Sequence, residues 1–120
     1  MKLFTAQQRA KLLVNGRRRE VDGSYDPFPV AHLFLINNWR WLISDVCPED
    51  PDKAYALVDI GNAPELGYVS LSELGSIQYG AFSVERDLAF VAKKSMSAYL
   101  EEWDSAYWAK RSAAKRSAAT

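Results

Sequence analysis

The sequence predicts an α+β fold, in which a mainly antiparallel sheet of about five strands forms two layers with an N-terminal and a C-terminal helix. Three observations lead to this class. A helix-capping pattern stands near the N-terminus, short strand-like runs separated by turn residues fill the middle, and an apolar repeat of helical period lies near the C-terminus. A length of 120 residues suits one domain with a single core.

The N-terminal helix is predicted from Thr5, which is followed three residues later by Gln8. This spacing is typical of a capping box, in which the two side chains satisfy backbone N–H groups at the start of a helix. Gly16 supplies a residue that commonly ends helices, so the helix is expected over residues 5–15. The segment 17–29, RRREVDGSYDPFP, has no period and contains glycine and proline, which predicts an extended arm.

Four runs in the middle of the chain are rich in strand-forming residues and bounded by turn residues. The first two are separated by Asn37 and Asn38, which predicts a hairpin. A single helical turn is expected at 72–74, and weaker strands at SIQY and ERDLAFV. The four strand predictions are residues 30–37, 39–46, 54–60 and 67–71.

The last helix is the clearest element. Its apolar residues recur at i, i+3, i+4, i+7 and i+11, which predicts an amphipathic helix over about 97–110. They are Met96, Tyr99, Leu100, Trp103 and Tyr107. Beyond it, KRSAA occurs twice with no large apolar residue, so residues 111–120 are expected to form a frayed basic tail outside a 1–110 domain.

The composition excludes several classes of protein. No apolar run approaches the roughly 20 residues that span a bilayer, and the single cysteine rules out an internal disulfide. A cytoplasmic protein with no membrane contact is therefore expected. The net charge is zero, but residues 21–107 contain five bases and fourteen acids, whereas both ends are basic. A main body that grips nucleic acid is disfavoured, because phosphate binding needs clustered lysine and arginine.

Several stretches resemble one family of small bacterial proteins classed only as a domain of unknown function, the family numbered 2958. The stretches are MKLFTAQQRAKLLVNG, CPEDPDKAYALVDIG, PELGYVSLSEL and VERDLAF. The resemblance runs from the first residue to about Tyr99. It implies no activity and no catalytic residue. It does imply an accessory gene of plasmids, integrative elements or phages, where counter-defence functions are common.

An acidic site is one possible centre of activity. Asp50 and Asp52 lie in the stretch CPEDPD between two predicted strands, and Asp45 and Asp59 are expected near the same sheet edge. Carboxylates that converge could hold a hard cation such as Mg²⁺, which would suit a metal-assisted hydrolase. The simpler interpretation is a rigid, solvated strand connection, since prolines end strands and acids keep turns hydrated.

The aromatic residues favour a binding protein over an enzyme. No catalytic residues and no cofactor are predicted, because His32 and Cys47 lack partners in any catalytic spacing. The expected function is non-enzymatic binding of a host or defence protein through an acidic, aromatic-bearing surface. A pairing of Arg86 with a carboxylate such as Glu65 or Asp59 would be structural or would clamp a ligand. The predicted binding residues are Trp39, Trp41, Glu65, Tyr68, Arg86 and Trp108.

The basic ends of the chain raise a third possibility, weak contact with nucleic acid. The alternative is that these side chains are solvated helix ends, where cations suit the negative pole of the helix dipole. The sequence leaves the oligomeric state open. The residues concerned are Arg17, Arg18, Arg19, Lys110, Arg111, Lys115 and Arg116.

Overall fold

A computed structural model of the protein describes residues 3–119, with side chains through residue 118. In chain order the elements are α1 (Ala6–Val21), β1 (Ala31–Phe34), β2 (Arg40–Cys47), β3 (Asp50–Asp59), β4 (Glu65–Ser70), α2 (Leu71–Ser76), β5 (Gln78–Tyr79), β6 (Phe82–Ser83), β7 (Glu85–Arg86) and α3 (Met96–Ala119). The main sheet has five strands in the order β4-β3-β2-β1-β7, every neighbouring pair antiparallel, and β5 and β6 form a separate small hairpin. The α+β class is therefore confirmed.

Helix α1 begins as predicted but ends later. The capping box between Thr5 and Gln8 is present, with both reciprocal hydrogen bonds formed. The predicted stop at Gly16 was wrong, because the helix continues to Val21 and includes the first residues of the expected arm. Gly16 is buried against β2, where an added Cβ would lie 1.8 Å from the Val46 carbonyl oxygen. The glycine therefore permits a close approach of helix and strand.

The predicted hairpin of β1 and β2 is confirmed, with a turn in which Asn38 adopts a left-handed φ of 73°. The turn is closed by the N–H of Leu35, which donates to the carbonyl of Trp39 at 2.9 Å. The connection between β2 and β3 is shorter than the stretch CPEDPD suggested. Strand β3 already begins at Asp50, so only residues 48–49 join it to β2.

The two long helices cover opposite faces of the sheet. Successive residues of a strand point to opposite faces, and on β2 Trp41 and Ile43 pack in the cluster with α1 residues. Leu42 between them packs instead with Met96 and Trp103 of α3. The sheet is thus covered on both sides, which differs from the two-layer arrangement expected from the sequence.

Helix α3 is attached to the body only by its N-terminal half. Its last buried side chain is Trp103, and all side chains from 108 to 118 are exposed. The segment expected to fray is helical through Ala119, and Thr120 lies outside the described residues. None of the helices within residues 3–119 is long and apolar enough to cross a membrane. Because α3 extends past its last core contact, a cleft opens between it and the sheet.

Candidate functional site

The cleft has a volume of about 840 Å³ and lies between α3 and the end of the β1–β2 hairpin. One wall is a single face of α3, and the other is formed by β1, β2, their turn and the end of β3. It is open to solvent and combines aromatic, amide and charged side chains. Its charged lining residues are His32, Arg40, Asp59, Lys110 and Arg111, with His32 charged only when it is protonated.

The helix wall changes character along its length. Trp103, Tyr107, Lys110 and Ala114 follow the spacing i, i+4, i+7 and i+11, which places them on one face of α3. Arg111 stands beside them, and its Nη1 donates to the Tyr107 hydroxyl oxygen at 3.3 Å. Lys110 makes no hydrogen bond or ion pair with any residue that the structure describes. The face is therefore aromatic near the core and cationic further out.

Arg40 forms the floor of the cleft. Its guanidinium lies 3.7 Å from the centre of the Trp103 ring, a cation–π contact between β2 and α3. Its Nε also donates to Oδ2 of Asp59 at 3.0 Å, so the charge of Arg40 is balanced within the protein. Among the residues that the structure describes, no carboxylate pairs with Lys110 or Arg111, and these two cations give the outer cleft a positive character.

The hairpin wall supplies further rings. His32 lies 5.8 Å from Phe34 between ring centres, and its Nδ1 is 3.0 Å from an Asp87 carboxylate oxygen. This hydrogen bond lowers the pKa of Asp87 and outweighs the opposing effect of desolvation. Trp39 is half-buried and meets Trp41 edge-on at 6.4 Å. Four half-buried rings, those of His32, Phe34, Trp39 and Tyr107, thus line a cleft whose outer part is cationic.

Comparison with known proteins gives a family for this chain. The family model described as a protein of unknown function (DUF2958) matches residues 3–107. The chain belongs to this family. The DUF2958 match spans α1, the whole sheet and α3 as far as Tyr107, so Lys110 and Arg111 lie beyond it. No curated protein and no solved structure matches the chain.

The structure of this DUF2958 chain does not gather the four aspartates considered for a metal site. Asp45 and Asp59 lie on the same sheet face, but Asp45 pairs with Tyr55, four residues before Asp59 on β3. That separation is about 13 Å along the strand. Asp45 is buried and accepts two hydrogen bonds from Arg19 at 2.8 and 3.0 Å, while Asp59 is occupied by Arg40.

The remaining two aspartates lie at the other end of β3. Asp52 accepts hydrogen bonds from the hydroxyls of Ser70 and Ser72 and from the backbone N–H of Ser72. The Ser70 bond contributes most to lowering the pKa of Asp52. Asp50 is exposed and stands opposite Cys47 in the register of β2 and β3. Within the described residues no three of the four predicted aspartates come within 4.8 Å of one another.

A different group of potential ligands, Glu20, Cys47 and Glu49, comes within 4.8 Å in the described part of the chain. Both glutamates are exposed, and a hydrogen bond with Glu49 is the main cause that raises the pKa of Glu20. This is a carboxyl–carboxylate contact at the surface, where α1 passes the β2–β3 turn. Nothing else about this surface points to a bound ion.

The residues predicted to bind a protein are dispersed. Trp41 is buried, with 2% of its surface exposed, and only Trp39 lines the cleft. Glu65 and Tyr68 lie on β4, at one edge of the sheet, whereas Arg86 lies on β7 at the other edge. Arg86 therefore cannot pair with Glu65, and Asp59 is occupied by Arg40. Trp108 is 52% exposed and lies outside the cleft lining, with its indole N–H donating to Asp104 at 3.1 Å.

The predicted nucleic-acid-binding residues form two groups, those that contact other side chains of the fold and those that are exposed to solvent. Arg19 is held by Asp45 and stacks over Tyr55 at 4.0 Å, which leaves it little freedom to bind a partner. Arg18 lies over the Tyr25 ring at 4.7 Å, and Arg17 is exposed. Four cations of α3 are exposed, two in the cleft and two further out. They are Lys110, Arg111, Lys115 and Arg116.

The cleft therefore unites residues that the sequence had assigned to three different functions. Trp39 belonged to the predicted protein-binding set, Lys110 and Arg111 to the predicted nucleic-acid set, and Asp59 to the predicted metal set. The contributions of Arg40 and Tyr107 were missed. The available signal was the helical spacing from Trp103 to Tyr107, which continues to Lys110 within the predicted helix and to Ala114 once the helix extends past residue 110.

Proposed function

We propose that this protein is a non-catalytic accessory protein that holds a nucleic-acid strand in the cleft between α3 and the β1–β2 hairpin. The observation that carries the proposal is the face of α3, where Lys110 and Arg111 follow Tyr107 and no carboxylate of the described residues neutralises them. Cationic side chains attract phosphates, and adjacent aromatic rings offer flat surfaces to bases. Such a combination is characteristic of grooves that follow a nucleic-acid backbone.

The distribution of charge suits an approach from the end of α3. Residues 108–120 contain four bases and no acid, whereas residues 21–107 have a balance of −9. A polyanion is repelled by the body and attracted to the projecting helix, so the electrostatic field orients it toward the outer cleft. The acidic body thus limits binding to one place on the molecule.

The test is fluorescence anisotropy with a labelled 20-nucleotide strand over a series of salt concentrations. Each phosphate contact on a single strand contributes about 0.7 to the slope of log K against log salt, so the double variant Lys110→Gln/Arg111→Gln should flatten the slope by about 1.4. Its matched control is Lys115→Gln/Arg116→Gln, which removes the same charge from the same helix outside the cleft lining. Equal effects of the two variants would contradict binding in the cleft.

A second candidate function is the binding of a host or defence protein, which the edge of the sheet favours. Strand β4 is terminal in the sheet order, so within the described part of the chain one side of its backbone has no partner strand, and Tyr68 on it is 51% exposed. Such an edge can pair with a strand of another protein. Lys53 lies 4.6 Å from the Tyr68 ring and adds a cation beside it.

The edge-strand candidate is tested with purified protein as bait in host lysate. Tyr68→Ala should abolish recovery of a specific partner, and Tyr79→Ala, an equally exposed tyrosine on the separate β5–β6 hairpin, should leave it intact. The same partner recovered with both variants would contradict the role of β4.

The genetic context belongs to the same proposal. We place the protein in the cytoplasm as an accessory factor of a plasmid, integrative element or phage, supported by its family resemblance and its single free cysteine. Genes for DNA transfer or processing beside its own gene would agree with a nucleic-acid partner. A neighbourhood without any mobile-element gene would contradict this context.

A further inference from the structure

We infer that the cleft selects a single strand, with an unpaired base stacked against its half-buried rings, chiefly Tyr107. This inference rests on the proposed function and adds the class of nucleic acid that the cleft accepts. It depends on the placement of the rings relative to the cations.

The rings lie inside the cleft, whereas the available cations lie toward its mouth. Phe34 and Tyr107 are half-buried between sheet and helix, and Trp39 is half-buried where the β1–β2 turn meets the cleft, but Lys110 and Arg111 are exposed on the helix beyond them. A strand whose phosphates lie along the two cations can therefore direct its bases inward. The planar guanidinium of Arg111, 5.7 Å from the Tyr107 ring centre, is a further stacking surface beside that ring.

A duplex cannot use these rings. Its bases are stacked on one another, and it presents only base edges in its grooves. Rings recessed between a helix and a sheet reach the face of a base only when that base is unpaired and turned outward. A duplex would meet Lys110 and Arg111 through its backbone alone, and two phosphate contacts without stacking give weak binding.

The length of the helix wall limits the bound stretch. From Trp103 to Ala114 the helix rises about 16 Å, which corresponds to about five nucleotides at the 3.4 Å spacing of a stacked strand. The cleft is therefore suited to a short part of a longer single strand. Stacking on a few rings is tolerant of sequence, because every base has an aromatic face.

The first test compares one 20-nucleotide sequence as a single strand and as a duplex, with anisotropy at low salt. We expect the single strand to bind at least about tenfold more tightly. Tyr107→Leu should weaken single-strand binding by about fivefold or more, the lower end of the effect of losing one base–aromatic stack, with no change in salt slope. Tyr79→Leu is the matched control, since that tyrosine is 56% exposed on the separate β5–β6 hairpin outside the cleft lining, and it should leave affinity unchanged.

The second test changes the ligand and leaves the protein intact, so it does not depend on how a variant folds. A strand with abasic sites keeps its phosphates but has no bases to stack, and we expect its affinity to fall by a similar factor. Equal affinity for normal, abasic and duplex ligands would overturn the inference, and the slope change of Lys110→Gln/Arg111→Gln would still support the proposed function. Failure of every oligonucleotide to bind would overturn both.

Discussion

The guanidinium of Arg40 lies 3.7 Å from the centre of the Trp103 ring, and this contact joins β2 to α3 across the floor of the cleft. Arg40 is held from the other side by Asp59 at 3.0 Å. Since none of the α3 side chains described after Trp103, residues 104–118, is buried, Trp103 fixes where the helix leaves the body. The geometry of the cleft therefore depends on one aromatic anchor.

Removing the Trp103 side chain should destabilise the protein, whereas removing the C-terminal end of α3 should not. Trp103→Ala is expected to lower the free energy of unfolding by about 3–5 kcal/mol, because it creates a cavity between sheet and helix. Truncation after Lys110 removes a segment whose described side chains, residues 111–118, are all exposed, and it should change stability by less than about 0.5 kcal/mol. Thermal or urea unfolding of both variants measures this. A truncated protein that unfolds would show that the core extends further along α3.

The close approach of α1 to β2 predicts opposite effects at two helical glycines. Gly16→Ala should destabilise the protein, since its Cβ would lie 1.8 Å from the Val46 carbonyl oxygen and the helix must move away. Gly75→Ala, in α2 with open space around its Cα, should stabilise by up to about 1 kcal/mol through helix propensity. Denaturant midpoints compare the two variants, and a stabilising Gly16→Ala would contradict the observed packing.

Arg19 is predicted to be a structural residue. Asp45 has 2% of its side chain exposed, so Arg19→Gln leaves a buried carboxylate without its cation and should cost about 3–5 kcal/mol. Arg18→Gln, at the neighbouring exposed position, should change stability by less than about 0.5 kcal/mol. Urea unfolding of the two variants measures this difference in stability. Comparable stability of the two variants would contradict the structural role of the Arg19–Asp45 pair.

The start of α3 should be sensitive to acid. Burial opposes ionisation of Asp26, but hydrogen bonds from the hydroxyl and backbone N–H of Ser97 outweigh it and lower the pKa of this carboxyl. Its stabilising contribution is therefore present above the unfolded pKa of about 3.9 and is lost as the pH falls through the lower folded value. Asp26→Ala should cost about 1 kcal/mol at neutral pH.

The contribution of Asp26 to stability is measured by unfolding the protein over a range of pH. The difference between the parent protein and Asp26→Ala should shrink as the pH is lowered, with the parent losing stability and the variant losing less. A difference that stays constant down to pH 2 would mean that Asp26 does not stabilise α3 through its charge.

The fold class followed from local signals, and the errors came from residues whose role depends on tertiary contacts. The capping box at Thr5 and the apolar spacing around Trp103 are local, and both appear in the structure. Gly16 has two physical uses, ending a helix and permitting close approach, and only its contact with Val46 decides between them. The structural role of Arg19 likewise depends on a tertiary contact, because its partner Asp45 lies 26 residues away in the sequence.

The candidate site was predictable only in part. Trp39, Lys110 and Arg111 were singled out, but for separate functions, because the hairpin turn and the end of α3 are distant in sequence. The metal hypothesis assumed that aspartates on adjacent strands converge. Side-chain spacing along β3 separates Asp45 from Asp59 by about 13 Å, a distance that depends on register.

The most direct test of binding in the cleft uses the four tryptophans as reporters. The indole N–H signals in a ¹H–¹⁵N spectrum can be followed as a single-stranded oligonucleotide is added. Trp39 and Trp103 line the cleft, so their signals should shift in proportion to occupancy, whereas that of Trp41, which is buried and outside the cleft lining, should move little. Shifts confined to Trp108, or no shift in any indole at saturating oligonucleotide, would contradict a nucleic-acid strand held in the cleft.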